Sequence, residues 1–133
     1  MKTIEDVCSF LKATETYYLA TMDGGKPQVR PFGTAHLFGG KLYIQTGLKK
    51  DVAKQIAKNP HIAMCAFDGK TWLRVSATAV LDPRLEAQQS MLEAYPSLQG
   101  MYKAGDGNTA VYYLKDATAT FSSFTSAPET VTF

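Results

Sequence analysis

Three glycine-containing turns separate short β-prone runs, and they constrain the fold of this chain more than any other feature. The turns are Asp23-Gly24-Gly25-Lys26, Gly39-Gly40 and Asp68-Gly69-Lys70. Glycine supplies the positive φ values that the tight loops of β-hairpins require. Strands joined by such short loops pair antiparallel, because a parallel connection needs a crossover of a dozen or more residues. The sequence therefore predicts an antiparallel sheet of successive hairpins.

Six β-prone runs fit this scheme. The predicted strands are Tyr17–Met22, Gln28–Phe38, Lys41–Thr46, His61–Phe67, Trp72–Leu81 and Thr109–Phe124, the last broken at Lys115–Asp116. No repeat or linker divides the 133 residues, so we expect one domain, 1–133. Six antiparallel strands in one small domain favour a closed or half-closed β-barrel.

The second predicted strand contains a proline. Pro31 cannot donate to a sheet ladder, so this strand lies at an edge or is bulged there. Strict alternation of side chains then places Val29, Pro31, Gly33, Ala35 and Leu37 on one face. The other face carries Gln28, Arg30, Phe32, Thr34, His36 and Phe38.

Three helices interrupt the strands. The first starts at the N-cap candidate Thr3, with Asp6 three residues on, and Ile4, Val7, Cys8 and Leu11 mark its apolar face. The second covers Lys49–Lys58 and ends at Asn59-Pro60, because the residue before a proline avoids the α region. The third starts at Asp82-Pro83, with Asp82 as N-cap, and ends near Ala94. The stretch Gly100–Asn108 is predicted to be a loop.

The composition excludes several classes of protein. Fourteen Lys and Arg against twelve Asp and Glu leave a net charge of +2, too small for a nucleic-acid binder. The longest apolar stretches, such as Ile62–Phe67, fall far short of the roughly 18 residues of a membrane span. Acidic residues near the N-terminus stand where a signal peptide would be apolar. We therefore expect a cytoplasmic protein without membrane or nucleic-acid partners.

Metal and conventional catalytic sites are not expected either. Cys8 and Cys65 are distant from each other and form neither a disulfide framework nor a metal motif. His36 and His61 add too few ligands for a zinc site. No motif of a nucleophilic hydrolase, a nucleotide-binding loop or a zinc protease is present, so no catalytic residue is assigned.

One group of residues conflicts with local electrostatics. Lys49 and Lys50 stand at the start of the second helix, where the helix dipole and the free N–H groups favour negative charge. Asp51 offsets part of this, so a solvated lysine pair is one interpretation. The other is an anion site in which both lysines, the helix N–H groups and the Thr46 hydroxyl hold a phosphate, with Arg30 close by.

Two blocks of sequence carry a family resemblance. The first is Tyr18–Thr34, which reads YLATMDGGKPQVRPFGT, and the second is Leu42–Pro60, which reads LYIQTGLKKDVAKQIAKNP. The ending ATATFSSF (117–124) followed by PETV (128–131) is similar to the last strand and tail of small bacterial members. With these blocks the chain resembles the pyridoxamine 5′-phosphate oxidase-like, FMN-binding split-barrel family.

The resemblance implies a six-stranded split barrel that forms a homodimer with two FMN molecules at the subunit interface. Arg30 would contact the phosphate or ribityl end, the Gln45-Thr46 position and the loop at Lys49 and Lys50 would complete the phosphate pocket, and Arg74 matches a polar flavin contact. If the protein is an oxidoreductase, Phe32 and the partner subunit's Trp72 are candidates for shielding the flavin ring, with core packing an equal alternative for Trp72. The cofactor-binding residues implied are Gln28, Val29, Arg30, Pro31, Phe32, Gly33, Thr34, Gln45, Thr46, Lys49, Lys50 and Arg74.

The chain also departs from the family pattern. The Ser-Arg-Lys phosphate segment of pyridoxamine 5′-phosphate oxidases aligns with Lys50-Asp51-Val52, and no histidine follows His61 to supply their C-terminal Arg-x-His motif. We therefore expect an FMN-dependent oxidoreductase that transfers hydride between a small donor such as NAD(P)H and an unknown acceptor, without vitamin B6 oxidation. The alternatives are a non-enzymatic flavin-binding or sensing module, the same barrel with haem or a deazaflavin, and a dimer without ligand.

Overall fold

The computed structural model describes residues 1–133 and contains three α-helices and eight strands. The helices are α1 (Ile4–Thr14), α2 (Asp51–Lys58) and α3 (Leu85–Ala94), and a 3₁₀ turn covers Pro96–Gly100. The strands are β1 (Tyr17–Asp23), β2 (Lys26–Phe32), β3 (His36–Phe38), β4 (Lys41–Gly47), β5 (His61–Phe67), β6 (Thr71–Asp82), β7 (Thr109–Ser123) and β8 (Glu129–Thr132).

The sheet is antiparallel throughout, as the turns predict. Its strand order is β2-β1-β5-β6-β7-β4-β3, with β8 paired to β7. The two edge strands, β2 and β3, follow each other in the chain and are not paired, so the sheet has the half-closed architecture of a split barrel. Pro31 lies on edge strand β2, which pairs only with β1, in agreement with the edge prediction.

The predicted strand Gln28–Phe38 is wrong in its middle, because the chain leaves the ladder at residues 33–35 and continues as β3 beside β4. Two tyrosines from distant segments bind the backbone at this break through hydrogen bonds. The Tyr17 hydroxyl donates to the Thr34 carbonyl at 2.6 Å, and the Tyr95 hydroxyl bonds both the N–H and the carbonyl of Ala35 at 3.0 Å. Strict alternation fails here, since Thr34 and Ala35 are consecutive and both buried.

The C-terminal strands also differ from the prediction. The expected break at Lys115–Asp116 is a β-bulge inside β7, where the pairing with β6 shifts register and Asp116 takes a φ of 50°. Beyond the bulge, β7 pairs with β8 on the side opposite β6, and β8 was not predicted. The prediction of six strands thus becomes eight, because β3 separates from β2 and β8 is added.

The helices match the prediction in number, and α1 follows its predicted N-cap Thr3, whereas α2 and α3 start later than predicted. In α1 the Thr3 N–H donates to Asp6 Oδ2 at 2.8 Å, and Val7, Cys8 and Leu11 are buried as expected. Helix α2 begins at Asp51 with Lys50 as N-cap, so Lys49 lies outside it. None of the helices is long and apolar enough to cross a membrane.

The predicted start of α3 at Asp82-Pro83 is wrong, because Asp82 belongs to the sheet. Asp82 is the last residue of β6 and not a helix N-cap, and the helix begins at Leu85 after Arg84. The Asp82 carboxylate accepts the Tyr43 hydroxyl at 2.7 Å and the Arg84 side chain at 2.9 Å. These contacts and the pairing with Val111 keep Asp82 in the sheet.

Candidate functional site

A cleft of about 280 Å³ opens where β2 ends, between β4, the start of α2 and the 3₁₀ turn. We call it the β2–β4 cleft. Seven of the twelve predicted site residues line it, namely Pro31, Phe32, Gly33, Thr34, Gln45, Thr46 and Lys50. Its remaining lining comes from the segment after α3, namely Tyr95, Ser97, Leu98, Met101 and Tyr102.

The break between β2 and β3 shapes one wall of the cleft. Residues 33 and 34 line it because the chain bends away from β1 there and turns towards β4. The Thr34 hydroxyl accepts the backbone N–H of Gln45 at 2.9 Å, which ties the bend to β4. This hydrogen bond brings together two parts of the predicted site that are eleven residues apart in sequence.

Gln45 is the most unusual residue of the cleft. On β4, Leu42 and Ile44 belong to the main core, so Gln45 lies with Tyr43 on the opposite face. Only 6% of Gln45 is exposed, and neither Nε2 nor Oε1 of its buried amide has a hydrogen-bond partner. A buried polar group without a partner costs about 1–3 kcal/mol. The fold therefore tolerates an unfavourable group at the candidate site.

Lys50 gives the cleft its positive charge. It is exposed at the N-cap position of α2, and no side chain caps the free N–H groups of that helix. A lysine next to uncapped helix N–H groups is suited to hold an anion. Lys49 does not line the cleft: its backbone N–H donates to Asn108 Oδ1 at 3.1 Å.

The turn that presents Lys50 is fixed by the loop before β7. The Leu48 N–H donates to the Asn108 carbonyl at 2.7 Å, and Gly47 lies so close to this loop that a Cβ would meet Tyr102 Oη at 3.1 Å. The loop in turn closes around Asp106, whose carboxylate accepts the N–H groups of Thr109, Asn108 and Lys103 at 2.7, 2.8 and 3.0 Å. These bonds, that of Thr109 foremost, hold the pKa of Asp106 well below its ordinary value.

Arg30 lies outside the cleft, on the inward side of β2. Its guanidinium donates to Thr21 Oγ1 and to Gln55 Oε1, both at 2.7 Å, so it links β2 to β1 and to α2. Burial lowers the pKa of Arg30. With a third contact to the Leu19 carbonyl at 3.4 Å, two of its five N–H groups have no partner in the chain. Neither Arg30 nor Lys49 lines the cleft that contains Lys50.

Three further predicted site residues also lie outside the cleft. Gln28 and Val29 are exposed on β2, and Arg74 is exposed on β6. Arg74 pairs with Cys65, which pairs with Tyr18, which pairs with Pro31 at the cleft. Three strand spacings therefore separate Arg74 from Pro31, about 14 Å.

The sequence analysis missed the five cleft residues after α3. Tyr95-Pro96 was interpreted only as the end of a helix, which is correct, since α3 ends at Ala94. No hydrophobic period marks the segment 96–102 as part of a site. The Tyr95 contact with Ala35, 60 residues away in sequence, places this segment at the break between β2 and β3.

Comparison with known proteins decides the family. A sequence model of the pyridoxamine 5′-phosphate oxidase family matches residues 4–122. The chain belongs to this family. None of the curated proteins compared with the chain matches it in sequence.

Solved structures agree with this assignment. A NimC/NimA family protein from Clostridium acetobutylicum is 37% identical, with a TM-score of 0.94 over 97% of this chain and 91% of that one. General stress protein 26 from Bacillus anthracis is 16% identical, with a TM-score of 0.76 over 97% of both chains. A haem-binding protein from Mycobacterium smegmatis is 14% identical, with a TM-score of 0.70 over 99% of this chain and 59% of that one. At these lower identities the likeness concerns the fold alone.

Proposed function

We propose that this pyridoxamine 5′-phosphate oxidase family member binds FMN in the β2–β4 cleft and is an oxidoreductase. A small donor such as NAD(P)H would supply the hydride, and an acceptor still to be identified would receive it. The observation that carries the proposal is the cleft itself, which combines the unpartnered amide of Gln45 with Lys50 beside an uncapped helix start.

The residues present fit a flavin nucleotide. Lys50 and the first N–H groups of α2 would hold the phosphate, and the Thr46 side chain is available beside them. Phe32, at the end of β2, offers an aromatic surface for the flavin ring. When bound, FMN supplies the hydride-transfer chemistry, so the protein has to bind, orient and shield it.

We propose further that the protein is a homodimer. Pockets for small ligands commonly enclose about 300–1,000 Å³, and the cleft of one chain has about 280 Å³. Four side chains of β5 are exposed, and three of them, Ala63, Cys65 and Phe67, are apolar, although the opposite face of this strand is already buried in the core. An apolar outer face on a central strand is typical of a surface that a partner covers. A second copy on this face would complete the flavin site.

The first experiment is to purify the protein, record its visible spectrum and identify any released chromophore by mass. We expect a flavin spectrum and the mass of FMN. A Soret band would instead indicate haem, and the mass of a deazaflavin would indicate that cofactor. A colourless protein whose melting temperature does not rise with added FMN would rule out the flavin proposal.

A lysine pair on α2 provides a matched test of the phosphate site. Lys50→Ala should weaken FMN binding about tenfold or more, because it removes a charge-assisted hydrogen bond worth about 1.5–3 kcal/mol. Lys58→Ala removes an equal charge from the other end of the same helix and should leave the dissociation constant unchanged. Fluorescence quenching measures both. Equal affinities in the two variants would exclude Lys50 from the site.

Haem is the second candidate, because a haem-binding protein has the same fold. The cleft contains Tyr95, Tyr102 and Met101 as conceivable iron ligands, and no histidine or cysteine lines it. His36 is engaged with Ser90 Oγ at 2.7 Å. These residues favour flavin over haem.

Steady-state oxidation of NADH or NADPH separates an enzyme from a binding module. We expect the purified flavoprotein to consume the reduced nicotinamide in many turnovers when an acceptor is present. A flavin that stays oxidised, or is reduced only once, would identify a non-enzymatic flavin-binding or sensing module.

A further inference from the structure

We infer that Gln45 recognises the imide edge of the flavin pyrimidine ring, and not the phosphate. This inference rests on the proposed flavin site and goes beyond it, because it sets the direction in which the cofactor lies in the cleft. The buried end of the cleft, at Gln45, would take the ring. The exposed end, at Lys50, would take the phosphate.

The first reason is that the buried side-chain amide of Gln45 has no hydrogen-bond partner. Among the buried side-chain nitrogen and oxygen atoms of the chain, only Gln45 Nε2 and Oε1 lack a partner. Every other fully buried side-chain nitrogen or oxygen atom has a partner within the protein, so the exception coincides with the candidate site. Natural proteins leave few such atoms unpaired, and each calls for a physical explanation.

The second reason is that two tyrosine hydroxyl groups near Gln45 already have partners in the protein. Tyr43, two residues earlier on the same face of β4, donates to Asp82 at 2.7 Å. Tyr95, which lines the cleft, bonds both backbone groups of Ala35 at 3.0 Å. These groups are held where they are by contacts that maintain the fold. The Gln45 amide is therefore left for a ligand.

The third reason is the chemistry of the amide. It presents one acceptor and one donor group side by side. A flavin imide offers the complement, an N–H that donates to Oε1 and a carbonyl that accepts from Nε2. A phosphate at neutral pH offers acceptor oxygens, so it would satisfy Nε2 and place negative charge against Oε1. Lys50 and the helix N–H groups suit the phosphate instead.

The test compares flavins that differ at one end. FMN and 3-methyl-FMN differ at the imide N–H, whereas FMN and riboflavin differ at the phosphate. We expect the wild-type protein to bind 3-methyl-FMN at least tenfold more weakly than FMN, and Gln45→Met to bind the two alike. The ratio of riboflavin to FMN affinity should be the same in both proteins. Lys50→Ala should bind riboflavin and FMN with similar affinity, and it should keep the wild-type ratio of 3-methyl-FMN to FMN affinity.

The apo-protein gives a readout that needs no cofactor. Gln45→Met replaces an unpartnered amide with an apolar side chain of similar length, so the melting temperature of the apo-protein should rise. FMN affinity should fall at the same time. A stabilised apo-protein with unchanged affinity for every flavin would mean that Gln45 does not face the ligand, and it would overturn the inference.

A second variant covers the case in which Gln45→Met does not fold. Burial should raise the pKa of the carboxyl group in Gln45→Glu. The protonated acid donates and accepts as an amide does, whereas the carboxylate only accepts. FMN affinity of Gln45→Glu should therefore fall as pH rises through that pKa, relative to the wild type at each pH. Affinity with the same pH dependence in both proteins would contradict the inference.

The outcomes separate the inference from the proposed function. If the wild type binds FMN but Gln45→Met changes the riboflavin ratio and not the 3-methyl-FMN ratio, Gln45 contacts the phosphate and the inference is wrong. The flavin proposal then stands. If the wild type binds none of the three flavins, both are wrong.

Discussion

At the scale of single residues, the contacts of Asp82 show how a buried charge is accommodated away from the cleft. Hydrogen bonds from the Arg84 side chain hold the pKa of Asp82 at about 2, against an ordinary value of 3.8. Burial and the bond to Asp82 raise the pKa of Tyr43 to about 12. Because the folded state lowers the pKa of Asp82, its contribution to stability is complete above pH 4. It is lost as pH falls towards 2.

The variant Tyr43→Phe tests this cluster. It removes one hydrogen bond from a buried carboxylate, so the free energy of unfolding at pH 7 should fall by about 1–3 kcal/mol. The pKa of Asp82 should rise, since the Tyr43 bond lowers it, and acid unfolding should begin at a higher pH. Tyr113→Phe is the control, because Tyr113 neighbours Tyr43 at 5.9 Å between ring centroids and its hydroxyl makes no hydrogen bond. Urea titrations from pH 7 to pH 2 measure both. Identical curves for the two variants would contradict the assignment.

At the scale of elements, two connections position the site. The break between β2 and β3 places residues 31–34 along the cleft, and the loop 103–109 fixes the β4–α2 turn. Gly47 permits the close approach of that loop, and Asn108 bonds the backbone of residues 48 and 49. The position of Lys50 thus depends on Asp106, which closes the loop through three backbone N–H groups.

The variant Asp106→Ala should loosen the β4–α2 turn without unfolding the sheet, because Asp106 is exposed. We expect the amides of Leu48 and Lys49 to exchange hydrogen about tenfold faster, and FMN affinity to fall as Lys50 loses its fixed position. Asp68→Ala is the matched control. Asp68 Oδ1 closes the β5–β6 hairpin by accepting the Lys70 and Thr71 N–H groups at 2.9 and 2.7 Å. Unchanged exchange at Leu48 in Asp106→Ala would show that the loop does not hold the turn.

The elements also show what the sequence could and could not reveal. Glycine turns and hydrophobic periods are local signals that predict the hairpins and the three helices, and the missing N–H of Pro31 predicts that its strand lies at an edge or is bulged. The break at residues 33–35 depends on hydroxyl groups 17 and 60 residues away, so no local pattern marks it. The isolation of the Gln45 amide is likewise visible only once every neighbour is in place. Seven of the predicted site residues line the cleft. The Arg30 side chain lies outside it, because it is bonded to Thr21 and Gln55, and this contact was not visible in the sequence.

At the scale of the whole molecule, large apolar side chains are exposed on the outer face formed by β2, β1 and β5, with β6 beside them. Val29 is 67% exposed, Phe67 57% and Tyr18 54%, and Tyr18 lies in the row of paired residues that runs from Pro31 to Arg74. This face therefore joins the edge of the cleft to Arg74. A second copy related by two-fold symmetry would place the same apolar face against itself.

The variant Tyr18→Glu tests the proposed dimer. A charge in the centre of a self-complementary apolar face should dissociate it, because two carboxylates would meet or be buried without partners. We expect sedimentation equilibrium to change from dimer to monomer, and FMN affinity to fall about tenfold or more because one chain encloses only part of the cofactor. Leu85→Glu places the same charge on a comparably exposed apolar residue of α3 and should remain dimeric. A Tyr18→Glu protein that stays dimeric would remove this face as the interface. A monomer that binds FMN as tightly as the wild type would show that a single cleft of 280 Å³ holds the flavin without a partner.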